Sequence, residues 1–249
     1  MATKRLPATD HTNRHLIVDG KEIVDIIIPN TIDTILDNTF KHFVNIKSVV
    51  TPQSVTTIGN YAFYRCISLP SITIPSSVKH IGNYAFASCS SLGSIIIPTN
   101  ITNLSNGTFS NCSSLKSISL PDGLEQIGAY TFSGCPSLTS ITIPNSVTTI
   151  EDNAFWCCSK LTSITIGNSV KSIGYCAFEN CESLTEITLP NSVKSLGYEV
   201  FNNCISLEAI TYNGTREKWK KVKKDTLDDK WNSGIQAKFV QCTDGLVKI

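Results

Sequence analysis

The sequence predicts an α/β repeat solenoid, with a parallel β-sheet on one face, short second strands and short helical turns on the other, and a cap at each end. Three observations carry this. Phe63, Phe86, Phe109, Phe132, Phe155, Phe178 and Phe201 follow one another in steps of 23 residues. Cys66, Cys89, Cys112, Cys135, Cys158, Cys181 and Cys204 keep the same step, as do Leu69, Leu92, Leu115, Leu138, Leu161, Leu184 and Leu207. Within the copy that starts at Ile58, Ile72 and Ile74 alternate around Thr73, which is the pattern of a strand with one buried face. A fixed period of this length is the mark of stacked units, none of which closes a core alone.

Taken along the chain, residues 1–25 read as a flexible N-terminus and a hairpin cap. His15 to Val24 contains an Asp19-Gly20 turn signal between apolar runs, and such a hairpin would cover the first rung. Residues 26–212 read as the solenoid, of about eight repeats. The register reaches back to Phe40, where Phe43 replaces the Cys and Ile46 the Leu. One copy, Ile58 to His80, divides into three parts. Ala62, Phe63 and Cys66 have the spacing of one helical turn. Ile72 and Ile74 flank Thr73 in a strand, which Pro75 stops, and Val78 and Ile81 begin a second short extended piece. Gly59, Gly82, Gly128, Gly174 and Gly197 mark one bend per copy, although Ser105 and Glu151 in the same column show that positive φ is not obligatory there. The strand triplets fall at 26–28, 49–51, 72–74, 95–97, 118–120, 141–143, 164–166, 187–189 and 210–212. With rungs about 4.8 Å apart, the stack is roughly 40 Å long. Residues 213–249 read as a C-terminal cap of helix plus hairpin. Thr215 is placed to N-cap a helix carrying Trp219 and Val222 on one face, Asp244-Gly245 signals a hairpin, and Trp219 and Trp231 are the expected docking residues.

Composition narrows the function. The 249 residues carry 21 Lys plus Arg and 20 Asp plus Glu, a net charge of +1, so no whole-chain field draws the protein to nucleic acid or an anionic membrane. Charged residues are only 16%, while 29 Ser and 26 Thr give a hydroxylated surface. With 41% hydrophobic residues the chain folds. Nothing approaches the 18 or so apolar residues of a membrane span, and the opening residues lack the apolar core of a secretory signal.

The chemistry-bearing residues are sparse. The Cys column is periodic with Leu and Ile, which marks it as small buried filler rather than as metal ligands or disulfides. Cys157 and Cys176 lie at positions that are polar in neighbouring copies, so greater exposure is expected of them. No His recurs with a carboxylate, and no phosphate-binding, nucleophile-elbow or zinc motif is present. No catalytic residue, metal site or cofactor is therefore expected.

The unit Asn-Ser-Val-x-x-Ile-x-x-x-Ala-Phe-x-x-Cys-x-x-Leu-x-x-Ile-Thr-Ile, as at Asn145 to Ile166, resembles the BspA-type leucine-rich repeat. The tail, with Tyr212 to Trp219 and then Cys242 to Gly245, resembles the terminal segment of such bacterial proteins. The resemblance implies a curved right-handed stack and a cell-surface or secreted protein of a host-dwelling microbe, of a kind that binds host extracellular-matrix proteins or mediates adhesion. The residues point to two candidate faces. The exposed strand column bears Thr73, Ser119, Thr142, Thr165, Thr188 and Thr211, with Glu186 at its edge, and suits an extended protein or glycan ligand. The last 37 residues hold 9 of the basic residues against 5 acidic ones, and Lys218, Lys220, Lys221, Lys223 and Lys224 form an alternative basic patch. Nucleic acid is not expected, because the repeats themselves are slightly acidic. A structural role in a surface layer or phage particle, or an intracellular scaffold with free thiols, are the other classes the sequence allows.

Overall fold

The computed structural model describes residues 17–18, 21–22, 24–225 and 234–249. Residues 1–16, the Asp19-Gly20 turn and Trp231 lie outside them. The described chain is a parallel β-solenoid with a rung every 23 residues. On one side run the strand triplets. Asp25–Ile27 pairs with Ser48–Val50, Ser94–Ile96 with Ser117–Ser119, and Ser140–Thr142 with Ser163–Thr165, all parallel. Glu186–Leu189 pairs with Ala209–Tyr212, and Phe239–Cys242 continues that sheet in parallel before Gly245–Lys248 folds back antiparallel. A second ladder of two-residue strands runs alongside. Thr34–Ile35, Thr57–Ile58 and His80–Ile81 form one parallel run. Asn103–Leu104, Gln126–Ile127, Thr149–Ile150, Ser172–Ile173, Ser195–Leu196 and Lys223–Lys224 form another. Before the first rung, Ile17–Val18 pairs antiparallel with Lys21–Glu22.

The third side departs from the expected helical turns. Within one rung, Tyr64 N–H donates to Tyr61 O at 3.1 Å and Cys66 N–H to Phe63 O at 3.1 Å, the i to i−3 bonds of tight turns. Between them, Tyr61, Phe63 and Arg65 donate to Asn83, Ala85 and Ala87 of the next rung at 2.7–2.9 Å. A helix would keep every amide inside its own segment. Here left-handed φ at Tyr61 (54°) and Arg65 (60°) turns alternate amides toward the neighbour. The same pair of positions is left-handed in every rung from Asn38 and His42 to Glu199 and Asn203. Such φ values are strained for Tyr, Arg or Glu, and the inter-rung bonds hold them. Glycine fills this role only at Gly107 and Gly134 within the stack. Gly59, expected at a bend, has no positive φ. It comes so close to the rung below that a Cβ would lie 2.5 Å from the Asp37 nitrogen.

Inside, the Phe column is a continuous stack. Ring centroids of Phe40, Phe63, Phe86, Phe109, Phe132, Phe155, Phe178 and Phe201 are 5.1–5.9 Å apart, with planes within 20° of parallel. Each offset-stacked pair adds about 0.5–1.5 kcal/mol beyond the area it buries. The periodic Cys are buried and unbridged. Each thiol donates to the carbonyl of the Phe one rung below, as Cys89 Sγ does to Phe63 O at 3.1 Å and Cys135 Sγ to Phe109 O at 3.2 Å. An asparagine column adds a side-chain ladder: Asp37, Asn60, Asn83 and Asn106 each accept the backbone N–H of the residue one rung above, at 2.7–3.0 Å.

At the C-terminal end, Arg216–Lys221 is a short helix. The Thr215 hydroxyl accepts from Lys218 N–H at 3.3 Å, and Trp219 is buried against Tyr212 at 5.2 Å. Asp244 accepts Arg216 N–H at 2.7 Å, which holds the helix start to the terminal hairpin.

Candidate functional site

The sheet face has two outward columns, set by strand alternation. One runs Asp25, Ser48, Ser71, Ser94, Ser117, Ser140, Ser163, Glu186 and Ala209. The other runs Ile27, Val50, Thr73, Ile96, Ser119, Thr142, Thr165, Thr188 and Thr211. Thr73, Ser119, Thr142, Thr165, Thr188 and Glu186 are exposed, and Thr211 is half-buried. The strip is not uniformly hydroxylated. Ile27 is 77% exposed, Val50 57% and Ile96 73%, so its first half is largely apolar. Beyond Thr211 the face ends on exposed Phe239 and Leu246. The periodicity that located Thr142 would have found Ile27 and Val50 had it been run to the first two rungs.

Nor is the strip continuous. Residues 72–74, expected as a strand, form no ladder. Pro70 stands at the entry to this rung. At the entry to other rungs an amide bonds the residue 23 earlier, as Lys47 N–H does to Val24 O, Gly93 to Pro70, Lys116 to Gly93 and Thr162 to Thr139. Proline has no N–H to place there. Beside Thr73 the face opens into a groove of about 460 Å³ lined by Ile72, Ile74, Ile96 and Pro98.

The basic patch divides. Lys220 Nζ pairs with Glu217 at 3.2 Å on the helix surface. Lys224 turns back into the cap, lying 4.4 Å over the Trp219 ring and donating to the Trp219 and Val222 carbonyls at 3.3 and 3.0 Å. Its half-burial pushes its pKa down. Lys218, Lys221 and Lys223 instead border a groove of about 530 Å³, where Lys194 joins them. Lys194 lies 24 residues before Lys218 and was invisible to a search for runs of charge.

The aromatic residues of the turn side mostly stack on one another. Tyr61 and Tyr84 are 5.2 Å apart and Tyr175 and Tyr198 5.7 Å, while Lys41 sits 5.0 Å from the Tyr61 ring and 5.6 Å from that of Tyr64. Tyr130, Trp156 and Tyr175 remain exposed. Cys157 is half-buried at an open groove beside Trp156, whereas Cys176, expected to be exposed, is 1% exposed. The Cys176 thiol, Glu179 and Glu199 bring their donor atoms within 4.8 Å of one another. Burial first, and then the hydrogen bond with Glu179, push this thiol up to about 12. At neutral pH it is a protonated hydrogen-bond donor, and the Asn202 amide holds Glu179 at 2.9 Å. Of the sequence-predicted residues, the strand set lies along one face, while only Lys218, Lys221 and Lys223 of the basic set share a groove, and the described residues offer no convergence of nucleophile, base and oxyanion donors.

Comparison with known proteins places this geometry. The profile described as "BspA type Leucine rich repeat region" matches in six copies, over residues 18–135 and 103–222. A leucine-rich repeat protein from Bacteroides ovatus is 30% identical, with a TM-score of 0.77, over 89% of this chain and 56% of its own. The T. pallidum leucine-rich repeat protein is 29% identical, with a TM-score of 0.60, over 65% of this chain and 78% of its own. A leucine-rich repeat protein from Eubacterium ventriosum is 28% identical, with a TM-score of 0.56, over 74% of this chain and 44% of its own. The chain therefore spans little more than half the length of the B. ovatus protein. No curated protein matches it in sequence.

Proposed function

This chain belongs to the BspA-type leucine-rich repeat family, and from that membership we propose that it is a non-enzymatic scaffold for adhesion or recognition, binding a host protein through the exposed face of its sheet. Repeat proteins of this kind bind other proteins by extended surfaces rather than pockets. The observation that carries the reading is the outward column from Ile27 to Thr211. It presents nine side chains at one position of successive 23-residue units, with neither Lys nor Arg nor carboxylate among them. Depletion of Lys and carboxylates beside exposed apolar side chains fits the core of a protein interface. Contacts spread along roughly 40 Å would come from many rungs, so no single threonine dominates.

The test is binding to a panel of extracellular-matrix proteins. Thr165→Arg and Ile96→Arg place a long charged side chain on the strip and should each weaken binding by about tenfold or more. Thr142→Ala should leave it within about threefold. Full binding by both arginine variants would overturn the sheet-face reading, and loss only on replacing Lys218, Lys221 and Lys223 would move recognition to the cap.

A further inference from the structure

Three separate elements deliver lysines to the groove at the C-terminal cap. Lys194 precedes the ladder strand Ser195–Leu196, Lys223 opens the paired strand Lys223–Lys224, and Lys218 and Lys221 come from the helix Arg216–Lys221. Backbone bonds fix their order: Lys223 N–H donates to Lys194 O at 2.9 Å, and Lys194 N–H to Lys171 O at 2.8 Å. The groove, about 530 Å³, is shallow and open, and its other described lining residues are Asn191, Val193, Ser195, Tyr212 and Val222, with no carboxylate. The cap's ion pairs use other residues, Arg216 with Asp244 and Lys220 with Glu217. Among the described residues none of the four groove lysines is in an ion pair.

Four cations around one concavity, with no ion pair to any described residue, repel one another, and a ligand that brings several negative charges relieves this. Lys194 joins the other three from the preceding rung and not from the helix face. We propose that this groove is a binding site for a linear sulfated glycan, independent of the sheet face. Lysine ammoniums act as separate point charges, and a sulfated glycan offers a high density of anionic groups along one chain to match several of them. Lys171, one rung further back, extends the row along the chain of such a ligand. Asn191 and Ser195 supply polar groups for sugar hydroxyls. Nucleic acid fits less well, because base stacking needs an open aromatic face and the one aromatic in the lining, Tyr212, is 2% exposed.

The experiment measures binding of the full chain to fluorescent heparin at several salt concentrations, with hyaluronan, which has carboxylates and no sulfates, and single-stranded DNA as competitors. The groove variant carries Lys194→Gln, Lys218→Gln, Lys221→Gln and Lys223→Gln. A control variant removes as much charge elsewhere, through Lys47→Gln, Lys79→Gln, Lys116→Gln and Lys160→Gln. At about 0.15 M salt the groove variant should lose about tenfold or more in affinity and show a shallower salt dependence. The control should stay within about threefold, and hyaluronan should compete poorly. Thermal melts of both variants check that each is folded. Equal losses in the two variants, no heparin binding by the wild type, or competition by DNA as strong as by unlabelled heparin would overturn the proposal.

Discussion

The Phe132 ring has neighbours on both sides, Phe109 at 5.9 Å and Phe155 at 5.3 Å, and no exposed surface. Truncation leaves a cavity between rungs that neither neighbour can fill, since each is held by its own stack. Phe132→Ala should therefore cost about 3–5 kcal/mol. Thr142→Ala on the outward column should cost under about 0.5 kcal/mol, and urea denaturation of the two variants checks the assignment of faces. The thiols allow a second test at this scale. Alkylation needs both access and a thiolate. Cys157 has partial access, whereas Cys176 and the seven periodic Cys are buried. Mass spectrometry of the native protein after brief alkylation should show Cys157 modified first. Early labelling at Cys176 would contradict its burial.

At the level of elements, the helix Arg216–Lys221 is too short to persist alone, and its place depends on Trp219. That ring is buried against Tyr212 and covered by Lys224. Trp219→Ala should cost about 3–5 kcal/mol. In a repeat stack the damage stays near its source. Hydrogen exchange should then rise in residues 216–224 and in the paired strand Ser195–Leu196, while the central rungs keep their protection. Uniform loss along the whole stack would show that the cap is coupled to all of it. The turn side is where reading the sequence as helix fell short. The 1–2–5 spacing of Ala62, Phe63 and Cys66 is the spacing of a helical turn and also of the alternating turn that forms. What separates the two is the left-handed backbone at Tyr61 and Arg65, which residue identity does not announce when glycine is absent.

The whole molecule carries a stack of buried thiols with a common response to pH. Burial pushes Cys66, Cys89, Cys112, Cys135, Cys158 and Cys181 up, with Cys89 and Cys135 reaching about 12. Between pH 9, the ordinary thiol value, and about 12, the unfolded chain loses these protons and the folded chain keeps them. Stability then falls as pH rises, by about 1.4 kcal/mol per pH unit for each thiol. Lys224, pushed down by burial, acts in the opposite sense as a single group. Denaturant titrations should show a stability plateau up to pH about 8.5 and a steep decline above pH 9. Cys135→Ala should remove about one thiol's share of that slope. A shallow slope in the wild type would contradict a buried thiol column.

The period of 23, the inward Phe, Cys and Leu columns, the family and the outward column from Thr73 to Thr211 were all legible in the sequence. They were legible because a repeat writes its geometry as identity at fixed spacing, and one register serves every rung. What the tertiary structure decided lies where that periodicity says nothing or is broken. Pro70 removes one amide at the entry to the rung of Thr73, where no ladder forms. The inter-rung amides choose an alternating turn over a helix. Of five lysines close in sequence, two are drawn off, by Glu217 and by the Trp219 ring, and the other three meet Lys194 from the preceding rung. Charge in a sequence is counted along the chain, whereas a binding groove is assembled across it, and only the stacking of rungs brings residues 24 or more positions apart to one surface.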